Sequence, residues 1–175
     1  AGTGGFLLAA VGKLRESLEK TQADSETEAE LHRLAPATIC GGEVDGDICK
    51  MANASLSARL GGSSSGLVIN CDSLDSGNTA LQPEAFDCSA SNPPFGTKIT
   101  IKDPRILKQF ELPFLRNKTG GSRAASLPPD ILFLEQNIRL VRPGSGRIAI
   151  VLPYQIFSGP ATRYVREWLL RHLKI

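Results

Sequence analysis

Short apolar runs alternate with helical patterns along this chain, and that alternation restricts the possible folds more than any other feature. Residues 38–44, 66–72, 85–91 and 147–153 read as strands, each short and bounded by turn-forming or polar residues. Phe6, Leu7, Ala10, Leu14 and Leu18 recur at helical spacing, so a helix is expected from about Gly5 to Lys20. Asp47 is expected to cap a second helix that carries Ile48, Met51, Ala52, Leu56 and Leu60 and stops at Gly61-Gly62. Pro129 opens a third, marked by Ile131, Leu134, Ile138 and Val141 and ended by Pro143-Gly144. The last helix spans Pro160 to Leu173 and buries Val165, Trp168, Leu169 and Leu173. Strands separated by helices need crossover connections, which predicts an α/β fold: a mostly parallel sheet between two layers of helices, a three-layer sandwich. Two segments do not fit the alternation. Residues 21–36 are polar and read as a surface insertion or a frayed extension of the first helix. Residues 98–127 read as a long basic loop with at most a short helix near Arg105 to Phe110.

A chain of 175 residues suffices for one domain with a real core. No apolar run reaches the roughly 18–20 residues of a membrane span, so no membrane partner is expected. Cys40, Cys49, Cys71 and Cys88 are widely and unequally spaced, with only His32 and His172 to supplement them. That is a poor zinc pattern, and no metal is expected. Cys40, Cys71 and Cys88 lie in or beside apolar segments and read as reduced, buried thiols, which points to the cytosol.

The polar residues sit where such a sheet binds ligands, at the carboxyl ends of its strands. Gly2 to Gly5 form a turn that opens a helix, and Glu43, Asp72 and Asn92 to Phe95 each end a strand-like run. All four stations are expected to line one cleft. The glycine turn lacks the third glycine of a dinucleotide fingerprint, because Leu7 stands there, and no Gly-Lys-Ser/Thr follows for a phosphate loop. Glu43 can accept hydrogen bonds from the two hydroxyls of a ribose, and Asp72 from an adenine amino group; in isolation each reads equally as an ordinary strand-end carboxylate. Asn92-Pro93-Pro94-Phe95 is the most specific element. Two prolines fix the backbone and remove two donors, leaving carbonyls free at a strand end. The Asn92 side-chain oxygen and the Pro93 carbonyl can then accept from a single NH2 group while Phe95 offers a face for a planar ring.

Net charge is only +2, but it is unevenly distributed. Residues 98–127 hold seven Lys and Arg against two Asp and Glu, a net of +5, which leaves −3 for the rest. Lys98, Lys102, Arg105 and Lys108 are the candidate contacts to a phosphate backbone.

AGTGGFL, GGEVD, CDSL, FDCSASNPPFG and LPPDILFLEQNIRLVRPGSGRIAIVLP, in this order, resemble the N6-adenine DNA methyltransferases, especially the modification subunits of type I restriction systems. The resemblance spans nearly the whole chain. It implies a Rossmann-like fold with S-adenosylmethionine as cofactor, DNA as substrate, and specificity and restriction subunits as partners. It further implies that residues 1–175 are a catalytic domain truncated at both ends. The Asp-Pro-Ala start of the glycine motif, the first core strand and the last strands are missing from the chain, and 98–127 is an insertion. Residue by residue, Ala1, Gly2, Thr3, Gly4 and Gly5 would line the methionine part of the cofactor, Glu43 its ribose, and Asp72 with Ser73 its adenine. Asn92 would adjoin the cofactor, and with Pro93, Pro94 and Phe95 would hold the target base, extruded from the duplex. Related NPPF-type amine methyltransferases that act on RNA or on protein glutamine, and an inactive methyltransferase-fold fragment, are the alternatives.

Overall fold

The computed structural model describes residues 1–21, 23–62, 66–75, 77, 81–95, 99–116 and 123–174. The chain is mixed α/β and divides into two compact units, Ala1–Ser73 and Leu74–Ile175. Among the described residues, no helix is long and apolar enough to cross a membrane.

In the first unit, α1 (Gly5–Leu18) and α2 (Asp24–Thr38) pack on each other, with Val11 and Leu31 fully buried. The polar segment expected to be a surface insertion or a frayed extension of the first helix is thus a helix of its own. Thr27, Leu31 and Ala35, four residues apart, make a narrow buried stripe on an otherwise charged cylinder, too thin to stand out by composition. Asp24 and Glu26 in its first turn favour its positive end, and Arg15 of α1 pairs with Glu28 of α2.

The strands β1 (Gly41–Glu43) and β2 (Val68–Asn70) run parallel, Gly41 opposite Val68 and Glu43 opposite Asn70. Between them runs α3 (Gly46–Arg59), which buries Cys49, Ala52 and Leu56. Its cap is Asp45 and not the expected Asp47: the Asp45 carboxylate accepts from the backbone N–H groups of Asp47 (2.9 Å) and Ile48 (3.1 Å). Asp47 instead lies in the first turn and meets Lys50. An amide on α3 closes the side of β2 away from β1. Asn53 donates to the Val68 carbonyl (2.7 Å) and accepts from the Val68 N–H (3.0 Å), supplying both bonds that another strand would give there.

In the second unit β3 (Cys88–Ser91) and β4 (Arg147–Ile150) form another parallel pair, Cys88 opposite Arg147 and Ser91 opposite Ile150. Parallel pairing is as expected. Among the described residues the strands pair two by two, one pair in each unit, where a single sheet was expected. Between β3 and β4 come α4 (Pro104–Leu107), α5 (Leu112–Leu115) and α6 (Pro129–Leu140), and after β4 come α7 (Gln155–Ser158), a 3₁₀ turn (Pro160–Thr162) and α8 (Arg163–His172). Val165, Trp168 and Leu169 of α8 are buried as expected, and Leu173 packs at the edge of the same core.

Much of the segment read as a basic loop is core structure. Leu107, Phe110, Leu112, Ala124 and Leu127 are buried together with α6 and α8, and Ile101 and Leu127 exchange backbone hydrogen bonds of 2.8 and 3.1 Å. Pro104 and Pro113 start two helices of one turn each. Such pieces are too short to show a hydrophobic period, which is why the pattern reads as loop. Glu135, only 1% exposed, organises the region: it accepts from the N–H groups of Glu111 (2.8 Å) and Leu112 (2.9 Å) and pairs with Arg139. Glu111 in turn accepts from the Trp168 indole at 2.8 Å.

The cysteines are distributed differently from expectation. Cys49 on the inner face of α3 is the buried one, Cys40 and Cys71 are half-buried, and Cys88 is exposed. Cys88 fails to be buried because it points to the exposed side of the β3–β4 pair, where burial alternates along both strands.

Candidate functional site

Three of the four expected stations gather in the first unit, at the carboxyl end of the β1–β2 pair. Gly2 (φ 56°) and Gly4 (φ 88°) hold the left-handed conformations that shape the turn ahead of α1. Gly4 is buried against α3, where an added Cβ would come 3.4 Å from the Cβ of Ala52. Gly2 differs: it is exposed, with no atom within 4 Å of an added Cβ, so the space in front of the turn is open. Ala1, Thr3 and Gly5 are exposed beside it.

Glu43 ends β1 and its carboxylate holds the turn. One oxygen accepts from the Gly2 N–H at 2.7 Å and the Ala1 amino nitrogen at 3.3 Å, the other from the Asp45 N–H at 3.1 Å. The loop behind it is pinned by Asn70, whose amide donates to the carbonyls of Glu43 (2.9 Å) and Val44 (3.0 Å). Asp72 and Ser73, half-buried, lie just past Asn70, which the register places opposite Glu43. Glycine turn, Glu43 and Asp72 are therefore brought to one strand end.

Burial alone would push the Glu43 carboxyl up, but the N–H donors of Asp45 and Gly2 act against it and the pKa lies below the usual glutamate range. A depressed folded pKa contributes stability that is fully present above the unfolded value, about 4.3, and lost as pH falls through the lower folded one. Glu43→Gln should accordingly flatten the acid limb of the stability profile. Urea midpoints measured from about pH 5 to pH 3 test this; identical limbs for variant and parent would remove the carboxylate from the turn's support.

The fourth station belongs to the second unit. β3 runs directly into Asn92-Pro93-Pro94-Phe95, and the Ser91 carbonyl still accepts from the Val151 N–H at 3.1 Å, so the motif begins where the β3–β4 ladder ends. Asn92 and Pro94 are exposed, Pro93 is buried, and Phe95 is 42% exposed. The Asn92 side chain makes no hydrogen bond to the described residues. The strand feeding it is held by Asn137 of α6, which accepts from Ser89 (2.6 Å) and donates to Ser91 (2.9 Å) and to the Phe133 carbonyl (2.6 Å). Asn137 is itself buried. Nothing in the sequence singled it out, because a polar residue on a helix acquires this role only when the helix crosses the strand.

Of the basic candidates, Lys98 lies outside the described residues. Arg105 is turned to Asp103 in an exposed ion pair of 2.8 Å. Lys102 and Lys108 come together on a cleft of about 510 Å³ that Phe114 and Arg123 also line. Phe114 was missed as a site residue because Leu112-Pro113-Phe114-Leu115 reads as an apolar turn. The charge asymmetry extends beyond this segment: the second unit carries fourteen Lys and Arg against eight Asp and Glu, net +6, and the first six against ten, net −4.

Among the described residues, no group of three or more His, Cys, Asp or Glu is arranged to hold a metal ion. No protein-family model matches the chain, and no curated protein matches it in sequence.

Proposed function

We propose that the protein is an S-adenosylmethionine-dependent methyltransferase acting on the N6 amine of adenine in DNA, on a Rossmann-like scaffold. The observation that carries the reading is the end of β3, where Asn92 is exposed, Pro93 is buried and Phe95 is partly open. In this reading the Asn92 side-chain oxygen and the Pro93 carbonyl accept the two amine hydrogens, and Phe95 stacks the extruded base. The amine is a poor nucleophile because its lone pair is delocalised into the ring. Two acceptors favour a pyramidal nitrogen and stabilise the positive charge that develops on it as the nitrogen–carbon bond forms; the carbon–sulfur bond would break, leaving a thioether, and the nitrogen would lose one proton to solvent.

The residues of the first unit fit the cofactor. Open space faces Gly2, and Glu43 keeps acceptor capacity beyond the three donors it already engages, since a carboxylate offers about four lone-pair positions. Glu43 would take the ribose hydroxyls, Asp72 and Ser73 the adenine, and the backbone of Ala1 to Gly5 the methionine part. Bound there, the cofactor supplies an electrophilic methyl group on a sulfonium. Neither a metal nor a covalent enzyme intermediate enters this scheme. A restriction-modification system, with separate specificity and restriction subunits in the cytoplasm, is the setting proposed for it.

Incubation with tritiated S-adenosylmethionine and DNA, RNA or protein in parallel tests the proposal. Label recovered as N6-methyladenine in DNA is the expected result. Label in RNA or in protein glutamine would keep the amine chemistry and change the substrate; with no transfer to any of the three, the reading fails.

A further inference from the structure

We infer that the cleft formed by Lys102, Lys108, Phe114 and Arg123 is a second nucleic-acid subsite, which binds the phosphates of an unpaired strand and stacks one of its bases on Phe114. The inference goes beyond methyl transfer and does not depend on it, since none of these residues belongs to Asn92–Phe95 or to the glycine turn.

Charge is the first argument. Four arginines of the second unit, Arg105, Arg139, Arg142 and Arg163, are spent in ion pairs with Asp103, Glu135, Asp87 and Glu167. Lys102, Lys108 and Arg123 make no ion pair among the described residues, and all three are exposed on the one cleft, whose described lining contains no carboxylate. Three uncompensated cations around a concave surface of about 510 Å³ attract a polyanion.

The second argument is the aromatic. A simple phosphate site has no use for an exposed ring, yet Phe114 presents 45% of its surface here. The Arg123 guanidinium stands over that ring at 6.0 Å from its centre, too far for a close stack. Phe114 and Arg123 are both exposed, so a base can reach the ring face as the guanidinium changes rotamer. Phosphate-binding cations beside a stacking face are the combination used for single strands, whereas duplex bases are stacked on each other and leave no free face. The shared chemistry, phosphate plus unstacked base, occurs in both DNA and RNA.

Binding of a labelled single-stranded 12-nucleotide DNA, the matching RNA and the duplex, without S-adenosylmethionine and at several salt concentrations, tests the subsite by fluorescence anisotropy. Phe114→Ala should weaken single-strand binding by about tenfold or more, leave the salt slope unchanged and leave the duplex unaffected. Phe114→Tyr should restore binding, and Phe114→Leu, which fills the same space without a π-face, should not. Lys102→Gln with Lys108→Gln should reduce the salt slope by about 1.4, near 0.7 for each phosphate left without its cation. The stronger of the DNA and RNA arms identifies the strand. Equal binding by Phe114→Ala and parent, restoration by Phe114→Leu, or an unchanged slope in the lysine variant would each overturn the subsite, and none of them bears on whether methyl groups are transferred.

Discussion

Asn92→Ala is expected to abolish methyl transfer, a loss on the order of 10³-fold, while leaving S-adenosylmethionine binding close to that of the parent. The size follows from what preorganised polar contacts are worth where charge develops, roughly 10²–10³ for each. The selectivity follows from position: Asn92 ends β3 in the second unit, whereas Gly2, Glu43 and Asp72 gather at the end of β1–β2 in the first. Stability should hardly change, because the Asn92 side chain is exposed and bonds to none of the described residues. Phe95→Ala should weaken capture of the base by the 1–3 kcal/mol typical of a stacked base, and Phe95→Trp or Phe95→Tyr should retain much of the activity. Equilibrium cofactor binding and single-turnover methylation on the same preparations make the comparison. Methylation by Asn92→Ala at the parent rate would reduce Asn92–Phe95 to a rigid turn.

Glu135→Ala should be the most destabilising change in the second unit. Glu135 is almost wholly buried and accepts from two backbone N–H groups at the start of α5 while facing Arg139. Alanine would leave the N–H groups of Glu111 and Leu112, in a part-buried and a buried bond, without their acceptor and the partly exposed Arg139 guanidinium without its partner, at a summed cost of about 3 kcal/mol from roughly 1–3 kcal/mol for each buried group left unsatisfied. For a unit of this size each kcal/mol shifts Tm by roughly 4–8 °C, so a fall of about 15 °C or more is expected. Glu135→Gln keeps an acceptor and should lose less. The sole tryptophan, Trp168, reports the transition, because its indole donates to Glu111, whose own N–H is one of those Glu135 receives. A variant that melts within 2–3 °C of the parent, far inside the shift set by about 3 kcal/mol, would show that α5 is held by its apolar contacts alone.

These two residues also mark the difference between what was legible in the sequence and what was not. Asn92 could be read because its chemistry is local: the strand, the two prolines and the aromatic are consecutive, and each imposes its constraint on its neighbours. Strands within 38–44, 66–72, 85–91 and 147–153 and the helices beginning at Gly5 and Pro129 were legible for a related reason, since burial on one face writes a period into the sequence, but each strand is only three or four residues long and Thr38 ends α2 instead. Parallel pairing followed from the connections alone.

Tertiary structure alone decided the rest. Thr27, Leu31 and Ala35 make a helix of a charged segment only because α1 covers the stripe. One-turn helices give Leu107, Phe110 and Leu112 a shared core that no period announces. Asp45 became the cap of α3 in place of Asp47 because the backbone turned extended at that residue. Glu135, Asn137 and the cleft around Phe114 bring together groups from segments distant along the chain. A hydrogen bond or an ion pair depends on distance in space. The sequence by itself determined the period and local chemistry of each segment, and only packing determined which segments meet.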